Sequence, residues 1–168
     1  MHGTKGFSLI ELLTVLLITA ILASHALPFA QHLLTQSRIK SASSEVLRAI
    51  QMARSEAIGK GTIHLCDDRI HCAFDGPSQQ LLLLLQRKNG ETFSEMELLA
   101  SIDMPKQTHL SWRRFRGNAL AFRANGLAYF QNGHFLICHQ DKGHKVVVNW
   151  IGRPRAEQAP EGACPAER

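Results

Sequence analysis

The sequence predicts an α+β fold, in which one long N-terminal helix packs against small antiparallel β-sheets. The first observation behind this prediction is an apolar run near the N-terminus, followed by apolar residues at helical spacing up to about residue 57. The second is that residues 62–150 contain short apolar runs separated by turn-forming pairs, which is typical of β-strands. Residues 31–168 are enough for one domain with a modest core, and the sequence shows no internal repeat.

The apolar run extends from Phe7 to Ala30 and contains 24 residues, of which Glu11 is the only charged one when His25 is neutral. A helix of this length is about 36 Å long, whereas the hydrocarbon core of a bilayer is about 30 Å thick. An ionised carboxylate inside a bilayer is unfavourable and normally has a partner. The sequence therefore predicts that residues 7–30 form a transmembrane helix in which Glu11 serves an interaction.

The helix is predicted to continue beyond the membrane as an amphipathic segment. Pro28 removes a backbone donor and should kink the helix near the membrane surface. Gly59 and Gly61 should end it, because glycine readily adopts the left-handed conformation found after helices. Apolar residues recur at spacings of three and four along the face that should pack on the domain: Ile39, Ala42, Val46, Ala49, Ala53 and Ala57.

Eight short segments after the helix are predicted to be strands, because they are rich in apolar residues and lie between turn residues. Asn-Gly pairs begin at residues 89, 125 and 132, and both residue types tolerate positive φ. The predicted strands are 62–66, 81–87, 97–103, 109–112, 119–122, 128–130, 134–139 and 145–150.

Four cysteines, Cys66, Cys72, Cys138 and Cys164, all follow the predicted membrane segment. If that part of the chain is exported, it folds where disulfides persist. Four cysteines allow three pairings, and the sequence alone does not decide between them. We prefer Cys66 with Cys72, which closes a short loop, and Cys138 with Cys164, which ties the tail back. The second disulfide would contribute about 3–4 kcal/mol if it acts through chain entropy.

A metal site is the alternative use of the first cysteine pair, because His64 and His71 lie beside Cys66 and Cys72 and both residue types bind zinc. The spacing of the two cysteines is not the usual short zinc pattern, so we expect no metal and no other cofactor. The sequence identifies no set of nucleophile, base and orienting group, and we therefore predict no enzyme. Mildly acidic pH could charge further histidines, which include His134, His139 and His144.

Positive charge is concentrated in the last third of the chain. Residues 1–105 hold nine lysines and arginines against ten acidic residues, whereas residues 106–155 hold nine basic residues against Asp141 alone. Such asymmetry indicates a polyanionic partner or a solvated basic face. The basic residues of the second segment are Lys106, Arg113, Arg114, Arg116, Arg123, Lys142, Lys145, Arg153 and Arg155.

The basic C-terminal tail, residues 150–168, contains the motif Gly-Arg-Pro-Arg directly after an apolar strand. Gly152 gives the turn its freedom, while proline fixes its own φ and disfavours a helical conformation at Arg153. Arg153 and Arg155 should therefore project from an extended segment. Their forked donors match phosphate oxygens, and counterion release would supply affinity that does not depend on sequence.

The N-terminal segment KGFSLIE, which ends at Glu11, resembles the class III signal of type IV pilins and pseudopilins. The resemblance implies that prepilin peptidase removes a leader, residues 1–6, by cutting between Gly6 and Phe7, and that the new amine of Phe7 is methylated. It also implies that Glu11 guides assembly with other pilins. The subunit would cross the inner membrane once before assembly, and its domain, residues 31–168, would be periplasmic and then extracellular.

Together with this signal, residues 122–126, 133–138 and 146–155 resemble the GspH/FimT group of minor pilins and pseudopilins, which implies a pilin-like fold. Within that group, a Gly-Arg-x-Arg tail is associated with the FimT minor pilins, which bind DNA in natural transformation. The chain resembles FimT most. Two alternatives stay open: a structural or priming minor pilin, or a GspH-like pseudopilin of type II secretion, neither of which binds DNA.

The resemblance also assigns roles in the tail. It implies that Arg153 and Arg155 bind double-stranded DNA without sequence specificity and that Gly152 acts as a hinge. Lys142 and Lys145 are added here as candidate DNA-binding residues because they lie just before the apolar strand that leads into the motif.

A second basic segment, residues 111–116 with the sequence SWRRFR, interleaves aromatic residues with arginines. Such a pattern can stack bases or bind phosphates, although aromatic residues in a strand more often belong to the core. Trp150 adjoins the tail, and we expect it to be core as well. The sequence leaves open whether four residues join the DNA surface: Trp112, Arg113, Arg114 and Arg116.

Overall fold

The structure is a computed structural model that describes residues 8–87, 90–92, 94–114, 119–128 and 131–164. It divides into two compact units, Met1–Gln36 and Ser37–Arg168. Several predicted features lie outside the described residues: Gly6, Phe7, Phe115, Arg116, the side chain of Arg114 and residues 129–130.

Helix α1, Leu9–Ala57, supplies all the described helical residues of the first unit. Its most apolar window has a mean hydropathy of 2.1 and is wholly exposed, so the helix is long and apolar enough to cross a membrane. Glu11 lies in the first turn, where a carboxylate complements the positive end of the helix dipole. The helix continues through Pro28.

In the second unit, the last turns of α1 bury one face. All six residues of the predicted apolar stripe are buried, which confirms the amphipathic segment. The helix ends at Ala57, and Gly59 and Gly61 follow with φ values of 78° and 150°. Residues with a Cβ rarely adopt such positive φ values, which is the reason that glycine ends the helix here, as predicted.

The strands form two four-stranded antiparallel sheets, which confirms the predicted α+β class. The first sheet contains Thr62–Cys66 (β1), Gln80–Gln86 (β2), Glu97–Asp103 (β3) and Leu120–Phe122 (β5), in the order β3-β2-β1-β5. The second contains Thr108–Arg114 (β4), Gly133–His139 (β6), Lys142–Val148 (β7) and Pro154–Gln158 (β8), in the order β4-β6-β7-β8.

One apolar core joins the second half of α1 to both sheets. Fully buried side chains come from the helix at Ile50, from the first sheet at Leu65 and Leu83, and from the second sheet at Phe135 and Ile137. Because the side chains of a strand alternate between its two faces, residues next to Phe135 and Ile137 lie on the outer face of the second sheet. That outer face brings Arg113, Lys145 and Arg155 together from three strands.

Both preferred disulfides are formed, one between Cys66 and Cys72 and one between Cys138 and Cys164. The second joins β6 to the segment that follows β8. A Cβ added to Gly143 would lie 2.5 Å from the sulfur of Cys164, so this segment lies directly against β7. The C-terminal tail is therefore attached to the sheet.

Apart from shifts of one or two residues at strand ends, the structure differs from the predicted strands in three places. β8 was not predicted, because its first residue is a proline; proline is tolerated at the start of an edge strand, where no neighbour needs its missing N–H. The predicted strand 128–130 does not begin at Ala128, which is buried outside any strand. β7 lies earlier than the predicted segment 145–150, because Asn149 begins a turn.

Candidate nucleic-acid interface

The outer face of the second sheet carries a group of basic residues, which we call the basic face and define as Arg113, His134, Lys145 and Arg155. Lys145 lies two residues before Val147 on β7 and pairs with Glu157 of β8. Arg113 of β4 pairs with His134 of β6, and Val147 of β7 lies between His134 and Arg155 of β8. At about 4.8 Å between neighbouring strands, Arg113 and Arg155 are about 14 Å apart across the sheet. The antiparallel register therefore aligns residues that are far apart in the sequence.

His134 lies in the middle of the basic face, and its pKa responds to the charges around it. Partial burial, followed by the nearby cations Lys145 and Arg113, lowers the pKa of His134 below its usual value of 6.5, and Glu157 opposes this shift. Burial and these two cations therefore favour the neutral imidazole over the charged one. Arg113, Lys145 and Glu157 all act on His134 electrostatically.

Glu157 of β8 is the acidic residue of this face and contacts two of its cations. One carboxylate oxygen lies 3.5 Å from Nζ of Lys145, and the other lies 3.3 Å from the guanidinium of Arg155. Lys145 is held close to the sheet, whereas the side chain of Arg155 is 73% exposed. Glu157 thus orients both cations and neutralises part of their charge.

The turn between β7 and β8, residues 149–153, is built around Gly152. The N–H of Gly152 donates to the carbonyl of Asn149 at 2.8 Å, and the N–H of Arg153 donates to the side-chain oxygen of Asn149 at 2.7 Å. Gly152 has a φ of 82°, and a Cβ there would lie 2.4 Å from Cε1 of Phe122. The structure therefore places Gly152 at a buried corner of a tight turn, and the hinge role that the resemblance implies stays a prediction.

This turn presents two large side chains to solvent. Arg153 is exposed directly before β8, and no ion pair is assigned to it in the described part of the chain. Trp150 is 61% exposed, so the expectation that it belongs to the core was wrong. It is exposed because β7 ends at Val148, which places Trp150 in the turn beyond the last core-facing position.

The two added lysines do not lie together. Lys142 and Lys145 are three residues apart in β7, so their side chains lie on opposite faces of the strand. Lys145 belongs to the basic face, whereas Lys142 lies on the face that carries the buried residues Val146 and Val148. The structure therefore supports Lys145 as a member of the site and separates Lys142 from it.

The aromatic and basic segment 111–116 is divided in the same way. Trp112 is buried, and its ring lies 4.6 Å from that of Phe135, so it belongs to the core. Arg113 is exposed on the opposite face and joins the basic face. The possibility that Trp112 stacks on DNA is thus excluded by its packing, while Arg113 remains a candidate.

Residues that sequence reasoning missed include Glu157, which stood outside the basic segment and in no predicted strand. The i, i+2 spacing of Arg155 and Glu157 would have placed them on one face if β8 had been predicted.

The alternative metal site at the first cysteine pair is occupied by a disulfide, because Cys66 and Cys72 are bonded to each other. The described residues contain no group of three potential metal ligands.

Comparison with known proteins identifies two family models and two solved structures. The family described as type II transport protein GspH matches residues 42–152, and the prokaryotic N-terminal methylation motif matches residues 1–24. The type IV minor pilin FimU of Pseudomonas aeruginosa is 20% identical, with a TM-score of 0.53, over 77% of this chain and 94% of that chain.

The second structure is the minor pseudopilin EpsH from the type 2 secretion system of Vibrio cholerae. It is 11% identical with a TM-score of 0.53, over 72% of this chain and 97% of that chain. Both similarities show a shared pilin-like fold. No curated protein gives a significant match.

Proposed function

The chain belongs to the GspH family, and we propose that it is a FimT-like minor pilin that binds extracellular double-stranded DNA through its basic face. The match to the N-terminal methylation motif supports a pilin-like subunit that is processed and assembled with other pilins. The binding surface would consist of Arg113, Lys145, Arg153 and Arg155. Its task would be to hold DNA while a retracting filament takes the DNA up during natural transformation.

The observation that carries this proposal is that cations from three strands lie on a single face of the second sheet, with Arg153 exposed in the adjoining turn. Arg113, Lys145 and Arg155 come from β4, β7 and β8, and Arg153 is exposed in the turn directly before β8. A solvated surface needs no such grouping. A duplex laid along the row from Arg113 to Arg155, about 14 Å long, would pass about four phosphates of one strand, at about 3.4 Å each.

The proposed binding does not depend on DNA sequence. Guanidinium groups on a flat sheet can reach phosphate oxygens, whereas reading bases requires side chains placed in a groove. The ammonium group of Lys145 pairs with the carboxylate of Glu157 and could leave that carboxylate to contact a phosphate. Affinity should therefore come from counterion release and fall steeply with salt.

Assembly would follow the family pattern. Prepilin peptidase would cut between Gly6 and Phe7, the Phe7 amine would be methylated, and Glu11 would guide packing in the filament. The apolar part of α1 would anchor the subunit in the inner membrane before assembly. These steps concern the part of the chain that all such subunits share, so they do not bear on the ligand.

A second candidate is a GspH-like pseudopilin of type II secretion, or a structural minor pilin, with protein partners only. The family description as a type II transport protein favours it. The two candidates share the helix and its signal but differ in the use of the basic face. DNA binding distinguishes them.

The test is an electrophoretic shift assay on residues 34–168, which contain the whole second unit, its core and both disulfides. Duplexes of unrelated sequence should bind equally at low salt, with dissociation constants of about 1–100 μM. The double variant Arg153→Gln/Arg155→Gln should bind all of them at least about tenfold more weakly.

The matched control is Arg38→Gln/Arg48→Gln, which removes the same charge from exposed positions of α1. Arginine and glutamine have similar helix propensities, so the control should fold normally and keep its affinity. Equal weakening in both double variants would attribute binding to net charge alone. Absence of binding at low salt would favour the pseudopilin candidate.

A further inference from the structure

Trp150 presents its indole to solvent in the turn between β7 and β8, where the side chain is 61% exposed. Tryptophan is highly buried on average in folded proteins. The other aromatic side chains that the structure describes in the second unit are all buried: Phe74, Trp112, Phe122 and Phe135. The exposed indole is therefore a candidate contact for a ligand.

The turn that carries Trp150 is held in place by hydrogen bonds and by packing. The N–H of Asn149 donates to the carbonyl of Arg153 at 3.4 Å, and the carbonyl of Asn149 accepts from the N–H of Gly152 at 2.8 Å. The side-chain oxygen of Asn149 also accepts from the N–H of Arg153 at 2.7 Å. Gly152 packs directly against the ring of Phe122. A ligand that contacts the indole would thus order little of the chain, which lowers the entropic cost of binding.

Two exposed arginines lie beside the indole. Arg153 is in the same turn as Trp150, and three peptide units place their Cα atoms at most about 11 Å apart. Arg155 follows two residues later, and its side chain is 73% exposed. An aromatic ring beside cations is typical of surfaces that bind single-stranded DNA, where the cations contact the backbone and a base stacks on the ring.

A DNA duplex would leave the indole of Trp150 without a matching group. Bases inside a duplex stack on one another, and the duplex presents its phosphates and sugars to a flat protein surface. The indole carries no charge and has one N–H donor, so its large face matches another flat ring better than a phosphate. An unpaired base offers such a ring.

We propose that Trp150 stacks on an unpaired nucleobase while Arg153 contacts the adjoining phosphate. The inference rests on the proposed DNA-binding function and adds a preference for DNA ends that carry single-stranded overhangs. Stacking tolerates any base, because every base has a flat face. The preference for overhangs should therefore not depend on their sequence.

The test uses the full chain in detergent micelles and three labelled DNAs that share one duplex. The first has blunt ends, the second has a short single-stranded overhang, and the third has the same overhang with abasic sites. The abasic overhang carries the same phosphates and lacks the bases. We expect the overhang with bases to bind about tenfold more tightly than the other two, which is the effect expected for one stacked base.

Variants at residue 150 separate stacking from other contacts. Trp150→Ala and Trp150→Leu should both lose the preference, since leucine is apolar but has no ring, whereas Trp150→Phe should keep most of it. The matched control is Ile70→Ala, which removes another exposed apolar side chain, 72% exposed, outside the turn and should keep the preference. Retained binding of the blunt duplex verifies that each variant has folded.

Tryptophan fluorescence gives a direct readout of stacking. The chain contains two tryptophans, and Trp112 is buried, so a DNA base can reach only Trp150. We expect the overhang with bases to quench the emission and the abasic overhang to leave it unchanged. Emission that does not respond to the overhang with bases would overturn the assignment.

The binding outcomes separate this inference from the proposed function. Equal affinity for the overhangs with and without bases, together with binding to the blunt duplex, overturns the stacking role and leaves the DNA-binding function intact. A preference that survives in Trp150→Ala or Trp150→Leu would place the base elsewhere or show a contact without stacking, and either result overturns the assignment. Failure of all three DNAs to bind would refute the DNA-binding function and this inference with it.

Discussion

Replacing Glu157 by glutamine should strengthen DNA binding, which is an unusual direction for a single substitution on a binding surface. The carboxylate lies 3.5 Å from Lys145 Nζ and 3.3 Å from the guanidinium of Arg155. Glutamine keeps the size of the side chain and removes its charge. The substitution therefore releases two cations towards phosphates and removes an anion that repels them.

The magnitude follows from these distances. Two unit charges at about 3.5 Å in water interact by about 1.2 kcal/mol, and measured surface ion pairs fall between about 0 and 1 kcal/mol. A gain of about 0.5–1 kcal/mol in binding corresponds to about two- to fivefold tighter affinity. The dependence of log K on log salt should become steeper by up to about 0.9, the value for one further phosphate contact.

Fluorescence anisotropy of a labelled duplex at about 50 mM salt would measure the change. Glu97→Gln is the matched control, because Glu97 pairs with Arg87 at 2.6 Å on the first sheet and its loss changes net charge equally. We expect its affinity to stay close to that of the unmodified protein. Unchanged or weaker binding by a folded Glu157→Gln variant would refute the use of this face.

Three further predictions concern the same region. Gly152→Ala should lower the free energy of unfolding by about 1–3 kcal/mol in urea titrations, because its Cβ would overlap Phe122. Replacing Cys138 and Cys164 by serine should lower it by about 3–4 kcal/mol, and an unchanged value would contradict the entropic account. Burial, followed by Lys145 and Arg113, lowers the pKa of His134, so charging it needs acidification below the usual range of histidine; that charge should tighten DNA binding, and His134→Gln should reduce the gain.

The fold could be predicted from the sequence because its signals are local. The apolar stripe from Ile39 to Ala57 has helical spacing, and Gly59 and Gly61 mark its end. β1 and β3 have the predicted bounds, since their apolar runs lie between clear turn residues. The disulfide pairing was also preferred correctly, although three pairings were possible.

The candidate site could be predicted only in part, because its geometry depends on register between distant strands. Arg153 and Arg155 form a motif that can be recognised in the sequence. No local sequence signal indicates that Arg113 lies in the same row as Arg155, because that row depends on the register of distant strands. Because Pro154 argues against a strand, β8 was not predicted, and the position of Glu157 was missed with it. Lys142 was included because it is near the motif in sequence, and strand alternation separates it.

The salt dependence of DNA binding tests the central claim most directly, because it counts the phosphate contacts that the basic face makes. The slope of log K against log salt should be smaller in magnitude by about 1.8 in Arg153→Gln/Arg155→Gln than in the unmodified protein, at about 0.9 per lost contact. Arg38→Gln/Arg48→Gln should leave the slope unchanged. Identical slopes for all three proteins would contradict binding through Arg153 and Arg155.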